Sequence, residues 1–188
     1  MELLDILGAQ IERVFSSQEA KISGENYIAG IVGLNYLMGN VVDSYNLAEI
    51  LISKDNGGGI VGLNNATVSS CYNIGNILNN NESEEIKIGG ICGQNLSDSF
   101  IYSSYNVGKV SAKGYVGGVV GANYGEVTNS YYKDDVLNFK LENDSTCKTE
   151  EQMKTEIINV LGEDYEIDTN LNNGYPILVW QKHNLEVK

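Results

Sequence analysis

A heptapeptide written four times fixes most of what this chain can fold into. Gly58-Gly59-Ile60-Val61-Gly62-Leu63-Asn64 recurs as Ala29-Gly30-Ile31-Val32-Gly33-Leu34-Asn35, as Gly89-Gly90-Ile91-Cys92-Gly93-Gln94-Asn95 and as Gly117-Gly118-Val119-Val120-Gly121-Ala122-Asn123. A worn copy, Leu4-Asp5-Ile6-Leu7-Gly8-Ala9-Gln10, opens the chain. The shared glycine falls at Gly8, Gly33, Gly62, Gly93 and Gly121, at intervals of 25, 29, 31 and 28 residues. A unit of that size cannot bury its apolar face alone, so successive units stack and the chain reads as a solenoid.

Each unit carries a second block downstream: Ser44-Tyr45-Asn46, Cys71-Tyr72-Asn73, Ser104-Tyr105-Asn106 and Ser130-Tyr131-Tyr132, with Phe15-Ser16 as an early relic. A looser third segment follows at Lys21-Ile22-Ser23, Glu49-Ile50-Leu51, Asn76-Ile77-Leu78 and Lys109-Val110-Ser111. Three short β-rich stretches per period, bounded by Gly, Asn or Ser, predict a three-sided coil. The expected fold is all-β: a right-handed parallel β-solenoid of about five short coils over residues 1–132. The handedness follows from the usual chirality of parallel crossovers. The insertion Asn79-Asn80-Asn81-Glu82-Ser83-Glu84-Glu85 is expected to bulge from one corner as a polar loop.

The columns have physical meaning once the coils stack. Ile31, Ile60, Ile91 and Val119 form one β-branched column, and Val32, Val61, Cys92 and Val120 the next. Neighbouring strand residues face opposite sides, so one column is expected inside and the other outside. Glycine columns suit corners where a positive φ or close backbone approach excludes a β-carbon. Asn35, Asn64, Asn95 and Asn123 are expected to stack as an amide ladder. Tyr45, Tyr72, Tyr105 and Tyr131 should form an aromatic one.

Gly-Gly-Ile-Val-Gly-Leu-Asn followed by Ser-Tyr-Asn-x-Gly resembles the GLUG motif of bacterial surface proteins, which also occurs beside the protease domain of IgA-specific metallopeptidases. The similarity spans about Leu4 to Tyr132. The tail segment Asn172-Asn173-Gly174-Tyr175-Pro176-Ile177-Leu178-Val179-Trp180 is similar to the stretch that ends such repeat regions. The resemblance implies a secreted or cell-surface setting and brings no catalytic residues with it. No His-Glu-x-x-His occurs, so the neighbouring zinc protease activity is not encoded here.

After Tyr132 the period stops, and residues 133–188 read as a C-terminal cap. A polar connection runs through Asn143-Asp144-Ser145. Thr149 with Gln152 makes a capping box, and Met153, Ile157, Ile158 and Leu161 recur at helical spacing up to a stop at Gly162. Tyr175 to Trp180 reads as a short edge strand with Pro176 near its start. Helix and strand are expected to cover the open end of the last coil, with Trp180 packed in the cap rather than serving as a ligand platform.

Charge and titratable residues narrow the function. The net charge is −13, with Arg13 and eleven lysines against the acids. A nucleic-acid surface needs clustered Lys and Arg, so nucleic acid is excluded as a partner. No segment is apolar and long enough to span a bilayer, and Met1 to Asp5 lacks the features of a signal peptide. The worn first repeat points to a longer parent that would carry any export signal. Cys71, Cys92 and Cys147 cannot all pair, lack metal-ligand spacing and read as packing residues. Gly57-x-Gly59-x-x-Gly62 matches the dinucleotide fingerprint formally, but no helix is expected to follow. His183, the sole histidine, sits near the end of the chain.

Parallel solenoids also host polysaccharide-cleaving enzymes, for which two carboxylates suffice. Glu84-Glu85, Asp134-Asp135, and Asp43 with Asp98 are the candidates, all in polar loops. Calcium on the loop from Asn79 to Glu85 is a further alternative. The expected function is a non-catalytic repeat module of a bacterial secreted or surface protein, without metal or cofactor. It would serve as a spacer or as a surface for a host protein or glycan.

Overall fold

The computed structural model describes residues 9–36, 38–138 and 146–185. They form a parallel β-solenoid whose turns stack residue on residue. Five sheets run along it. The first holds Gln10–Glu12, Asn40–Val42, Thr67–Ser69, Phe100–Tyr102 and Glu126–Thr128, and the second holds Phe15–Ser16, Tyr45–Asn46, Tyr72–Asn73, Tyr105–Asn106, Tyr131–Lys133 and Cys147–Lys148. The third stacks Lys21–Gly24, Glu49–Ile52, Ile77–Asn79 and Val110–Ser111; the fourth Ile28–Ala29, Gly57–Gly58, Lys87–Gly89 and Tyr115–Gly117; the fifth Val32–Asn35, Val61–Asn64, Cys92–Asn95 and Val120–Asn123. Four coils are complete, and a fifth is begun by Glu126–Thr128 and Tyr131–Lys133. The worn opening copy, from Leu4 to Gly8, lies outside the described residues.

Each coil therefore has five short strands, where the spacing predicts three. Two bends account for the difference. One lies just before the Ser-Tyr-Asn block, where Arg13, Asp43, Ser70, Ser103 and Asn129 all take positive φ (57°, 48°, 49°, 49° and 45°). Asp, Ser and Asn tolerate this conformation better than bulkier residues do. The serine after it holds the corner: Ser104 Oγ donates to Tyr102 O at 3.0 Å and accepts from Cys71 N at 3.2 Å.

The other bend splits the heptapeptide. Ile60 N and Val61 N both donate to Ile91 O, at 2.9 and 3.0 Å, and Ile91 N and Cys92 N both donate to Val119 O. Two consecutive amides aimed at one carbonyl break the strand alternation, as in a bulge. Both β-branched columns accordingly reach the same core, and Ile60, Val61, Ile91 and Cys92 are all fully buried. The expectation that one column faces outward fails for this reason. Around them the inner core is aliphatic, with Val41, Val68 and Ile101 from the first sheet and Ile50, Ile77 and Val110 from the third.

The repeat glycines answer to close approach rather than to φ. A Cβ on Gly59 would lie 2.2 Å from Gly90 O and 2.4 Å from Asn73 Cγ, and Gly30 and Gly90 meet Asn46 and Asn106 in the same way. These asparagines form a ladder beside the predicted one. Asn46 donates to Asn73 at 2.7 Å and Asn73 to Asn106 at 2.8 Å. In the predicted ladder Asn35 donates to Asn64, Asn64 to Asn95 and Asn95 to Asn123, at 2.8, 2.8 and 2.9 Å.

After the fifth coil begins, Cys147–Lys148 adds one strand to the end of the second sheet, through Tyr132↔Cys147. α1 (Glu150–Thr155) follows, with the Thr149–Gln152 capping box in place. A second short helix, α2 (Ile158–Leu161), ends at Gly162, whose φ is 102°. Tyr165–Glu166 pairs antiparallel with Ile177–Leu178. The expected strand to Trp180 stops at Leu178, because the chain turns directly into α3 (Val179–Leu185).

Candidate ligand groove on the tyrosine flank

The second sheet turns an aromatic column outward. Phe15, Tyr45, Tyr72 and Tyr105 stack with ring centroids 5.1, 4.9 and 5.1 Å apart and planes within 8° of parallel. That spacing is the strand spacing of the solenoid, so ring stacking costs the backbone no distortion. Tyr131, the expected fourth member, is in register with Tyr105 but instead carries Lys148 Nζ 5.5 Å from its ring centroid. Phe15 extends the column at the other end.

The tail packs against this column along the flank. α1 touches the second sheet at its end, beside Tyr131–Lys133 and Cys147–Lys148. The chain then works back across the earlier coils. Tyr165 Oη donates to Ser103 O at 3.0 Å, Ser70 Oγ to Asp164 Oδ2 at 2.6 Å, and Tyr105 Oη to Pro176 O. Tyr72 Oη donates to Gln181 Oε1 at 2.9 Å, and Trp180 Nε1 donates to Asp43 O at 2.9 Å. Met153, Ile157, Leu161, Tyr165, Tyr175 and Leu178 join the tyrosines in a second apolar cluster. The expected cap on the terminal coil is thus mainly a cover for the flank. An outward apolar ladder running through the coils offers far more surface to bury than one coil end does. Burial holds Tyr72, Tyr105 and Tyr165 in the neutral form, with phenol pKa values raised well above 10.0.

Where the cover and the first coils part, a groove of about 990 Å³ opens. Phe15, Tyr45, Tyr72 and Trp180 supply its rings; Gln18, Asn76, Asn170, Asn172, Asn173 and Gln181 supply amides; Glu49 is the one carboxylate among the described lining residues. Among the described residues no Lys, Arg or His side chain lines it. Gln181 is held by Tyr72 and by Leu178 N, and Asn172 by Tyr105 Oη and Pro176 O. The strap on one wall turns tightly, as Asn172, Asn173 and Gly174 take successive positive φ values of 50°, 52° and 82°. The tyrosine column was the sequence signal for this wall, but nothing in the period reveals that residues 170–181 return to it.

The sequence candidates lie elsewhere and apart from one another. Glu84 and Glu85 are exposed in the insertion, and Asp134-Asp135 sit in a turn after Tyr131–Lys133, where Lys133 Nζ is 2.8 Å from Asp135. Asp43 and Asp98 occupy different corners, one before the second sheet and one between the fifth and first. Burial and the nearby Asp164 carboxylate raise the Asp43 pKa, against the pull of Arg13 at 3.9 Å. In the insertion, Asn79 Oδ1, Asn81 Oδ1 and Ser83 Oγ accept from the amides of Asn81, Ser83 and Glu85, so these oxygens serve the turn. Among the described residues no three His, Cys, Asp or Glu gather as a metal set. Gly57-x-Gly59-x-x-Gly62 runs from one strand to the next without a helix. Cys71 and Cys92 are buried, with thiol pKa values pushed up to about 12, and Cys147 is also unpaired. The side chain of His183 lies outside the described residues. No helix among the described residues is long and apolar enough to cross a membrane.

No family model matches the chain. No curated protein matches it either. Among solved structures it is similar to a crystal structure of a candidate immunoglobulin A1 protease from Bacteroides ovatus, with a TM-score of 0.54 and 18% identity. The match covers 77% of this chain and 58% of that one. At that identity the likeness is one of fold.

Proposed function

We propose that this chain is a non-catalytic binding module of a bacterial secreted or cell-surface protein, built on GLUG-type repeats, with the flank groove as its ligand site. The observation that carries the reading is the lining of the groove. It offers rings and amides for contact, while Glu49 is the one carboxylate among its described residues. Glycoside cleavage uses two carboxylates set across the scissile bond, whereas the neighbouring Asp43 and Asp164 carboxylates lie outside the groove lining. The Bacteroides ovatus neighbour, with its protease assignment, supports a setting in which such a solenoid accompanies an activity held in other residues.

Two experiments test this. Incubating the chain with immunoglobulin A1 and with a panel of polysaccharides should release no peptide and no new reducing ends. Antibodies raised against the chain should label intact, unpermeabilised cells of the source bacterium. Turnover of any substrate contradicts the non-catalytic reading, and labelling that requires permeabilised cells contradicts the surface one.

A further inference from the structure

We infer that the flank groove takes a neutral oligosaccharide, an inference that rests on the groove being the ligand site. Two rings are fixed in it before any ligand arrives. Phe15 is 51% exposed and locked parallel to Tyr45 at 5.1 Å. Trp180 is tilted 36° against the same tyrosine, its indole N–H tied to Asp43 O. Rigid rings give contact area at little entropic cost, and the C–H face of a sugar is the polar ligand surface that matches a ring.

Around the rings stand side chains with hydrogen-bonding capacity to spare. Gln18, Glu49, Asn76 and Asn173 are all exposed and line the groove. Among the described residues, Asn76 is the one of these engaged through its side chain, its Oδ1 accepting from Lys109 N at 3.1 Å. An amide both donates and accepts, as does each hydroxyl of a sugar, so a row of amides answers a row of hydroxyls.

Other ligand classes fit less well. An anionic ligand finds no cation among the described lining residues and meets a chain of net charge −13. A peptide that binds by adding a strand needs a sheet edge, whereas the groove lies on the face of the second sheet. The cavity, at about 990 Å³, is at the upper end of the roughly 300–1,000 Å³ typical of ligand sites, which favours several sugar rings over one.

Trp180 is the sole tryptophan of the chain, so its emission reports on the groove directly. The test titrates the full chain with cellohexaose, mannohexaose, xylohexaose and N-acetylchitohexaose, and with an oligogalacturonate as the anionic control, by fluorescence and calorimetry. At least one neutral hexasaccharide should give a saturable change in Trp180 emission, with glucose or mannose far weaker. Phe15→Ala and, independently, Gln18→Ala should each weaken that binding about tenfold while leaving the melting temperature close to that of the wild type. Silence of all four neutral hexasaccharides at millimolar concentration overturns the inference, as do tighter binding of the anion or wild-type affinity in both variants. None of those results touches the non-catalytic reading, which fails instead if new reducing ends appear.

Discussion

The inside of the solenoid and its tyrosine flank are built from the same coils but held together differently. Inside, each coil contributes the same aliphatic residues in the same register, such as Val41, Val68 and Ile101, so every contact joins one turn to the next. On the flank, the periodic column Tyr45–Tyr72–Tyr105 meets a segment with no period, and the bonds span long loops, as from Tyr72 to Gln181 and from Asp43 to Trp180. The difference teaches that repetition specifies the coil and its core, whereas a single non-repeating segment decides which outer face is buried. It also places the groove, which opens where that segment leaves the column uncovered.

Alkali should have the largest effect and should act on both regions. The buried thiols of Cys71 and Cys92 and the phenols of Tyr72, Tyr105 and Tyr165 are held neutral, with pKa values raised from 9.0 and 10.0. Because the folded state favours the protonated forms, their contribution is fully present below those unfolded values and is lost as pH climbs through the folded ones. Thermal melts at stepped pH should show stability falling above about pH 9, with the thiols' share lost by about pH 12. Cys71→Ser/Cys92→Val, which restores the residues of their columns, should delay the onset to about pH 10 and leave the flank's share. An onset that does not move would mean that the inner thiols contribute nothing to the difference.

Tyr105→Ala attacks the flank at its centre. Its ring is fully buried, stacked on Tyr72 and bonded to Pro176 and Asn172. The loss should be about 4 kcal/mol by denaturant titration, against about 1 kcal/mol for Ile77→Val in the inner core. A smaller loss at Tyr105 than at Ile77 would reverse the comparison.

Asn64→Leu probes a ladder that belongs wholly to the coils. Asn64 donates to Asn95 and Ala66 and accepts from Asn35, so its loss strands partners in two neighbouring coils. A cost of about 2 kcal/mol is expected, and an unchanged melt would show that the column is not buried in solution. Thr149→Ala, which removes the N-cap of α1, should cost about 1 kcal/mol. Hydrogen exchange should place that loss in the tail amides and leave those of the coils as they were.

The sequence shows the coils more plainly than it shows the groove. Columns one period apart declare the stacking, the Asn35–Asn123 ladder and the tyrosine stack, because identical residues in register must meet. The corner before each Ser-Tyr-Asn block is harder to see. Asp43, Ser70 and Asn129 mark it by positive φ, yet the same residue types fill ordinary polar loops. The paired amides of Ile60 and Val61 are invisible to a rule of strict alternation, which is why both columns could not be placed inside. The groove joins residues 15–76 to residues 170–181, and contacts between a repeat and a non-repeat leave no periodic trace.

The central claim is that the tail covers the tyrosine flank and not chiefly the end of the last coil. Ending the chain at residue 148 should leave a solenoid that self-associates in light scattering, because the bared ladder is apolar. The same shortened chain carrying Tyr45→Thr, Tyr72→Thr and Tyr105→Thr should return to the monomer, since threonine keeps strand propensity while making the flank polar. Self-association that persists unchanged in the threonine variant would place the sticky surface at the terminal coil and contradict the account.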